Sequence, residues 1–392
     1  MHLIRKAAAL HLIKEMTRVL YIAYPLLTVS CESAGGAEQV LWTLEQEITQ
    51  REMVRQGLIT TVAASAGSRV SGELFSTGEP CSQPDDYERR CVEHEDRVVE
   101  FVRHRAREGK AFDLIHDMSG SFWRRAAEID APVLATLHLP RSFYPAQSFE
   151  NIPPNVSFNC VSQSQSQSFT DLDTMLGMLP NGIALENFED GFATNAGAPK
   201  QNLVERKALL WLGRICEEKA PHLALEIAER ADLPITIAGQ VYPFSYHQQY
   251  FEREVAPRLK HMANATFISA PSLAAKRKLL REAQALLVTS LAAETSSLVA
   301  MEAAASGTPV IAFRRGALPE IVREGTTGFV VEDVARAVEA CSRIDTISNA
   351  ACEAYARKNF SGNTMAEGYT KLYSKKLGHP LAVPPFIVPA AV

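Results

Sequence analysis

Short apolar runs alternate with longer amphipathic segments along most of the chain. The apolar runs predict buried strands, and segments with apolar positions every three or four residues predict helices between them. The predicted strands span 18–23, 58–63, 112–116, 132–137 and 157–161, then 208–212, 234–238, 265–268, 285–289, 309–313 and 328–331. The predicted helices span 37–56, 87–109, 122–128, 221–231, 274–282 and 297–305. This alternation is typical of α/β proteins with doubly wound parallel sheets.

The alternation pauses between residues 185 and 205, where small and polar residues lack a periodic apolar pattern. Domain boundaries fall in such segments. We therefore expect two Rossmann-like domains, at 16–190 and 206–360, joined by a linker at 191–205. Beyond them we expect a helix at 361–377 that crosses back to the first domain, and a proline-rich tail at 378–392.

Composition and charge exclude several classes of protein. The 392 residues are 46% hydrophobic and 22% charged, which are values of a globular chain. The net charge of −5 does not favour binding to a nucleic acid backbone. Seven scattered cysteines without a C-x-x-C pair favour a reducing compartment over a disulfide framework or a zinc site. No apolar run reaches the roughly 20 residues of a membrane-spanning helix.

The first fifteen residues form a separate extension, MHLIRKAAALHLIKE, which is basic and amphipathic. It lacks the apolar core and cleavage site of a signal peptide. Two interpretations stay open: an upstream start codon or a surface helix appended to the domain, or an interfacial helix on a membrane. We expect a cytoplasmic protein, with peripheral association at the inner face of the membrane as the alternative.

The most informative stretch is ETSSLVAMEAAASG at 294–307, followed by TPVIA. Thr295 and Ser296 suit the N-cap of a helix, whose free N–H groups favour a diphosphate. Glu294 and Glu302 would lie about 12 Å apart along the axis if both were helical. That spacing suits a ligand with a hydroxyl-rich sugar at each end of a diphosphate.

A second candidate site follows the strand at 208–212, in WLGRICEEKAPHLALEIA. Arg214 and Lys219 lie on its strand-to-helix loop, where two cations can clamp a diphosphate leaving group. The Walker pattern G-x-x-x-x-G-K-[ST] is absent, which argues against nucleotide hydrolysis. In the first half, Gly35 and Gly36 open a helix after the first strand and permit close backbone approach to a ligand. His138 ends another buried strand.

These motifs, in this order, resemble the retaining nucleotide-sugar glycosyltransferases of family 4, within glycosyl transferases group 1. Their E-x7-E signature is matched by Glu294, Glu302 and the following GTPVIA. The resemblance implies a GT-B fold: an acceptor-side first domain and a nucleotide-sugar-binding second domain facing each other across a cleft. One departure is Thr295-Ser296-Ser297, where the family commonly has Gly-Phe-Gly, so donor-sugar preference does not carry over.

The resemblance also implies residue roles. The catalytic residues would be His138, Glu294, Arg214 and Lys219. The donor-binding residues would be Gly35, Gly36, Arg214, Lys219, Glu294, Ser296, Ser297, Leu298 and Glu302. Glu294 would contact the donor sugar and Glu302 the ribose, whereas His116, Asp117, Arg314 and Arg315 are weaker candidates.

The expected activity is therefore transfer of a hexose from a nucleoside-diphosphate sugar to an acceptor hydroxyl, with retention of configuration. The partners are this donor and an acceptor that is a glycan, a lipid or a small metabolite. No D-x-D pair adjoins the motif, so we expect no metal and no cofactor. A nucleotide-sugar 2-epimerase and a catalytically silent sugar-nucleotide-binding protein remain as alternatives.

Overall fold

The computed structural model describes residues 16–49, 57–81, 83–188, 206 and 208–381. The chain divides into two compact units. Unit 1 comprises Met1–Val161, Ser166–Leu179 and Gly362–Val392, and unit 2 comprises Ser162–Gln165 and Pro180–Ser361. None of the helices in the described part of the chain combines the length and hydropathy needed to cross a bilayer.

Strands and helices alternate along the chain. The strands are β1 (Thr17–Ile22), β2 (Leu58–Ala64), β3 (Glu73–Ser76), β4 (Leu114–Asp117), β5 (Val133–Leu137), β6 (Val156–Cys160), β7 (Met175–Met178), β8 (Ala208–Leu212), β9 (Ile235–Gly239), β10 (Ala265–Ser269), β11 (Ala283–Val288), β12 (Val310–Phe313) and β13 (Gly328–Val331). The α-helices are α1 (Gly36–Glu47), α2 (Tyr87–Arg107), α3 (Gln163–Ser166), α4 (Pro221–Ala231), α5 (Ser245–Tyr250), α6 (Ala256–His261), α7 (Leu273–Glu282), α8 (Leu298–Ala305), α9 (Leu318–Ile321), α10 (Val334–Cys341), α11 (Asn349–Asn359) and α12 (Gly362–Leu377).

Unit 1 is built on a seven-stranded parallel sheet in the order β3-β2-β1-β4-β5-β6-β7. Its central strand β1 is buried along nearly its whole length, because helices cover both faces of a doubly wound sheet. The strand order reverses between β1 and β4. Ligands of such folds bind beyond the carboxyl ends of the strands at this switch point.

The last helix, α12, packs on unit 1 although it is the most distant in sequence. Gly362 allows its start to approach α1, since a Cβ there would lie 2.7 Å from Thr43 Cγ2. Tyr373 is fully buried, and its hydroxyl lies 2.8 Å from His116 Nδ1 and 3.1 Å from the Tyr21 hydroxyl. The helix therefore ties β1 and β4 together from one face of the sheet.

Unit 2 repeats the same architecture with six parallel strands in the order β10-β9-β8-β11-β12-β13. Its core includes Trp211 from β8, Leu225 from α4, Ile237 from β9 and Met301 from α8, each at most 2% exposed. The switch point lies between β8 and β11. The loops that follow these two strands carry Arg214, Lys219 and Glu294.

The structure corrects several sequence-based expectations about elements. Strands β3 and β7 were not predicted; both are four-residue edge strands whose side chains are half-buried or exposed, and the apolar run of β7, MLGM, is interrupted by a glycine. Phe122–Glu128 forms a 3-10 helix instead of an α-helix. Helices α3, α5, α6, α9, α10 and α11 lie outside the predicted helix ranges.

The division between units also differs from the expected boundary at residue 190. The long segment of unit 2 begins at Pro180, because the Ile183 N–H donates to the Phe360 carbonyl and Phe188 is buried in the unit 2 core. The predicted extension at 1–15 and linker at 191–205 lie outside the described residues. The predicted tail at 378–392 is described only as far as Leu381.

Candidate active site

An ion pair joins the two loops at the switch point of unit 2. Lys219 Nζ, on the loop after β8, lies 2.5 Å from Glu294 Oε1, on the loop after β11. Ser290 Oγ donates a second hydrogen bond to the same carboxylate oxygen. The Glu294 side chain is only 9% exposed and that of Lys219 is 29% exposed. The pair is thus partly withdrawn from solvent, yet its cation remains reachable.

Backbone contacts fix the position of Glu294. The Glu294 carbonyl accepts a hydrogen bond of 2.7 Å from the Ala317 N–H, on the loop after β12. Gly316 approaches the same residue, and a Cβ added to it would lie 2.1 Å from the Glu294 carbonyl oxygen. Gly316 also has a φ of +54°, a left-handed conformation that favours glycine. The third loop therefore holds Glu294 by close backbone packing.

Helix α8 starts later than the sequence pattern predicts. Its N-cap is Ser297, so Thr295 and Ser296 precede the cap and the expectation that either forms it was wrong. Glu294 lies outside the helix, and the axial separation of about 12 Å from Glu302 therefore does not apply. Ser296 Oγ is buried without a hydrogen-bond partner. The helix begins at Leu298, where free N–H groups and the helix dipole favour an anion.

A second ion pair joins helix α8 to its neighbour α7. Glu302 is 2% exposed, and its Oε1 accepts a hydrogen bond of 2.6 Å from Lys276 Nζ. Burial raises the pKa of Glu302, although the Lys276 ammonium opposes that shift. The other carboxylate oxygen, Oε2, is buried without a partner. A buried acceptor with free capacity suits a hydroxyl donor on a ligand.

Three predicted cations have carboxylate or carbonyl partners nearby. Arg214 Nη2 lies 3.3 Å from Glu218 Oε1, in an exposed pair on the same loop as Lys219. Arg314 pairs with Glu332 at 2.5 Å, and Arg315 donates to the Arg314 carbonyl at 3.0 Å. The Arg314 guanidinium therefore contacts the exposed Glu332 carboxylate.

Unit 1 carries the remaining predicted site residues. Gly35 is the N-cap of α1 and Gly36 its first residue, directly beyond the carboxyl end of β1. A Cβ on Gly35 would lie 1.9 Å from Glu38 Oε2, so a larger residue at this position would displace the Glu38 side chain. Glu38 is 5% exposed, and burial raises its pKa to about 7. His138 follows β5, and burial lowers its pKa to about 4, which keeps the imidazole neutral.

The weaker candidates in unit 1, His116 and Asp117, have structural partners. His116 is fully buried, with its second ring nitrogen 2.7 Å from Thr136 Oγ1. The Asp117 carboxylate is also buried and accepts hydrogen bonds from the Ser119 and Trp123 N–H groups. Burial raises the pKa of Asp117 to about 6. Both side chains therefore stabilise the end of β4.

Sequence reasoning missed Ser290 and Lys276, the partners of the two glutamates. Ser290 is the second residue after β11. Its hydroxyl lies close in sequence to the E-x7-E motif, which is a signal that could have identified it as a candidate site residue. Lys276 lies 26 residues before Glu302 on a helix of ordinary amphipathic pattern. Its pairing depends on how α7 packs against α8, which no local pattern encodes.

Comparisons with known proteins show which sequences and folds this chain resembles. Residues 197–359 match the family model described as glycosyl transferases group 1. The spore coat protein SA of Bacillus subtilis is 21% identical over 320 residues, covering 72% of this chain and 83% of the relative. The D-inositol 3-phosphate glycosyltransferase of Mycobacterium tuberculosis is 35% identical over 153 residues, covering 38% of this chain and 31% of the relative.

Solved structures share the fold over nearly the whole chain. The Anabaena protein HepE in complex with UDP-glucose superposes with a TM-score of 0.67 at 15% identity, covering 91% of this chain and 99% of that one. The two doubly wound parallel sheets thus belong to a GT-B fold. Residues 197–359, the part of the chain that matches the glycosyl transferases group 1, carry both candidate ion pairs, so this part of the chain resembles that family.

Proposed function

We propose that this protein transfers a hexose from a nucleoside-diphosphate sugar to an acceptor hydroxyl with retention of anomeric configuration. The observation that carries the proposal is the ion pair of Lys219 and Glu294 at the switch point of unit 2. Glu294 lies four residues before the start of α8. Support for the donor class comes from the neighbouring fold of HepE, whose structures contain UDP and UDP-glucose.

Lys219, Arg214 and the α8 N-terminus would stabilise the leaving diphosphate. Departure of that group leaves an oxocarbenium-like sugar and places negative charge on phosphate oxygens. A preorganised ammonium and unpaired N–H groups stabilise such charge without reorganisation. Because Lys219 is 29% exposed and already held by Glu294, its ammonium is positioned before the donor arrives.

Carboxylates would select the two hydroxyl-rich parts of the donor. Glu294 would accept hydrogen bonds from hydroxyls of the transferred sugar, and the free Oε2 of Glu302 would accept from the ribose. Unit 1 would contribute His138 and the Gly35–Gly36 turn to donor contacts, a part of the proposal that rests on the family resemblance. The acceptor proton would leave with the departing phosphate, so no metal or cofactor enters the proposed step.

The proposal is tested by donor turnover with the purified full-length chain. A panel of UDP-, GDP- and ADP-hexoses is incubated with glycan, lipid and polyol acceptors, and nucleoside diphosphate release is measured with and without acceptor. We expect acceptor-dependent release with one donor base, and a product whose anomeric configuration by NMR equals that of the donor.

Other outcomes separate the alternatives. An inverted product would refute retention while leaving sugar transfer intact. Release of free or epimerised sugar without acceptor would indicate a 2-epimerase. Donor binding by calorimetry without turnover on any acceptor would indicate a silent binding protein.

A further inference from the structure

Three side chains with metal-binding atoms converge beside the loop that follows β8. Cys216 and Glu218 lie on this loop, and His247 lies on α5. The Cys216 thiol, one Glu218 carboxylate oxygen and one His247 ring nitrogen all lie within 4.8 Å of one another. Within the described residues, this is the one group of three such side chains close enough to share an ion.

His247 is the observation that points to a ligand. Its side chain is 0% exposed, yet neither Nδ1 nor Nε2 has a hydrogen-bond partner. Leaving a buried polar group unsatisfied costs free energy, so such groups in native proteins usually have a protein, water or ion partner. Rings of Phe244 and Tyr246 pack around the imidazole, with centroids 5.4 and 4.2 Å away. An ion bound to one ring nitrogen would satisfy this group.

The donor set identifies the class of ion. A thiolate, an imidazole and a carboxylate match the ligands of Zn²⁺ and similar borderline-soft divalent cations. Mg²⁺ and Ca²⁺ prefer oxygen ligands and would not favour this set.

We propose that Cys216, Glu218 and His247 bind one zinc-class divalent cation, with water as a fourth ligand. Binding forms metal–sulfur, metal–nitrogen and metal–oxygen bonds and releases the Cys216 thiol proton to the buffer, with no change in oxidation state. The ion links the loop that carries Arg214 and Lys219 to helix α5. Glu218, one of the three ligands, also pairs with Arg214 at 3.3 Å.

This site departs from the expectation of a chain without a metal. The cysteines are scattered, and His247 lies 31 residues beyond Cys216, so no short ligand motif marks the site. The inference does not depend on the proposed transfer reaction, because metal binding is measured without donor or acceptor.

The test uses full-length protein freed of metal by chelation and dialysis, titrated with Co²⁺ and then with competing Zn²⁺. We expect one ion per chain and a cobalt–thiolate charge-transfer absorption that Zn²⁺ abolishes. Zn²⁺ should also raise the melting temperature. The absorption should disappear in Cys216→Ser and persist in Cys341→Ser, a matched control in which another buried thiol of unit 2 is replaced.

A third variant, Glu218→Gln, provides a test if the substitutions at the buried cysteines prevent folding, because the Glu218 side chain is 32% exposed. It should weaken Co²⁺ binding at least ten-fold while leaving the circular dichroism spectrum unchanged. The proposal is overturned by the absence of a cobalt–thiolate band in wild type, by its persistence in Cys216→Ser, or by Glu218→Gln binding as tightly as wild type.

Discussion

Lys219 Nζ and Glu294 Oε1 lie 2.5 Å apart although the two residues are separated by 75 positions in sequence. The contact exists because β8 and β11 are neighbours in a parallel sheet, so the loops at their carboxyl ends meet at one edge. Two further bonds join these loops: the Leu291 N–H donates to the Glu218 carbonyl, and Thr289 Oγ1 donates to the Ala220 carbonyl. The fold thus brings a cation and a carboxylate together before any substrate binds.

Removing either member of this pair should abolish most transfer. Lys219→Met removes the cation proposed to stabilise the leaving diphosphate, and Glu294→Gln removes the charge that holds that cation. Loss of one preorganised electrostatic contact lowers kcat by roughly 10²- to 10³-fold. Steady-state kinetics with saturating donor measures this loss.

An exposed pair of the same unit supplies the control. Glu226 and Arg230 form an i,i+4 pair on α4 whose side chains are 42% and 48% exposed. Glu226→Gln makes the same chemical change as Glu294→Gln and should leave kcat within two-fold, since exposed pairs contribute about 0–1 kcal/mol to stability. Equal losses in both variants would mean that the effect is one of overall charge or folding.

Glu302→Gln should weaken binding of the donor nucleotide. A hydrogen bond to a charged acceptor contributes about 1.5–3 kcal/mol, which corresponds to a dissociation constant roughly ten-fold or more higher. Calorimetry with the preferred nucleoside diphosphate and its dideoxyribose analogue separates the ribose contact from other effects. If Glu302 binds the ribose hydroxyls, the substitution and the analogue should not be additive, because each removes the same contact.

A matched control for Glu302 is Glu339→Gln on α10, whose carboxylate is 62% exposed. It removes the same charge from the same unit and should leave both nucleotide affinities unchanged. Full additivity of Glu302→Gln with the dideoxy analogue would remove Glu302 from ribose recognition, and the buried pair with Lys276 would then be structural.

The central strands were predictable because helices cover both faces of each sheet. Residues of β1 and β11 are therefore apolar without alternation, and the chain shows them as continuous runs. Edge strand β3 has a polar residue at each end, and edge strand β7 is a short apolar segment interrupted by a glycine, so neither shows a long apolar run. The sequence therefore predicts the central strands of each sheet, whose surroundings are apolar on both faces.

The candidate site was predictable only where its residues lie close together in sequence. Glu294 and Glu302 share one motif, and Arg214 and Lys219 share one loop. Lys276 and His247 reach the same unit's polar clusters through packing of α7 and α5, so their roles depend on tertiary contacts. The start of α8 was misplaced because Thr295, Ser296 and Ser297 are all acceptable N-cap residues, so local sequence does not distinguish among them.

Glu38→Gln should stabilise unit 1 at high pH. Burial raises the pKa of Glu38 from 4.5 to about 7, so the folded chain holds a proton that the unfolded chain releases between these values. The group's favourable contribution is therefore complete below pH 4.5 and is lost as pH rises through 7. Relative to wild type, the free energy of unfolding of Glu38→Gln should increase by about 3 kcal/mol between pH 4.5 and pH 8.

Urea unfolding at both pH values measures this difference. Glu88→Gln, at an exposed position of α2, removes one carboxylate from the same unit and should leave the pH dependence of wild type unchanged. Other buried groups titrate identically in all three proteins, so they cancel in the comparison. Parallel stability curves for wild type and Glu38→Gln would show that the Glu38 carboxyl has no raised pKa in the folded chain.

Gly316→Ala should disrupt Glu294 without touching any charged group. The added methyl would lie 2.1 Å from the Glu294 carbonyl oxygen and 2.5 Å from its nitrogen, so the loop that carries the carboxylate must shift. Gly325→Ala is the matched control, because Gly325 also has a positive φ, +69°, with nothing within 4 Å of its missing Cβ. Backbone strain alone costs about 1 kcal/mol, and Gly325→Ala should lose that much stability and no activity. Gly316→Ala should lose more stability and at least ten-fold in kcat, measured by urea unfolding and donor turnover. The loss of activity is expected because a displaced Glu294 carboxylate cannot hold Lys219 at its present distance. Equal stability and full activity in both variants would mean that the loop after β12 does not position Glu294.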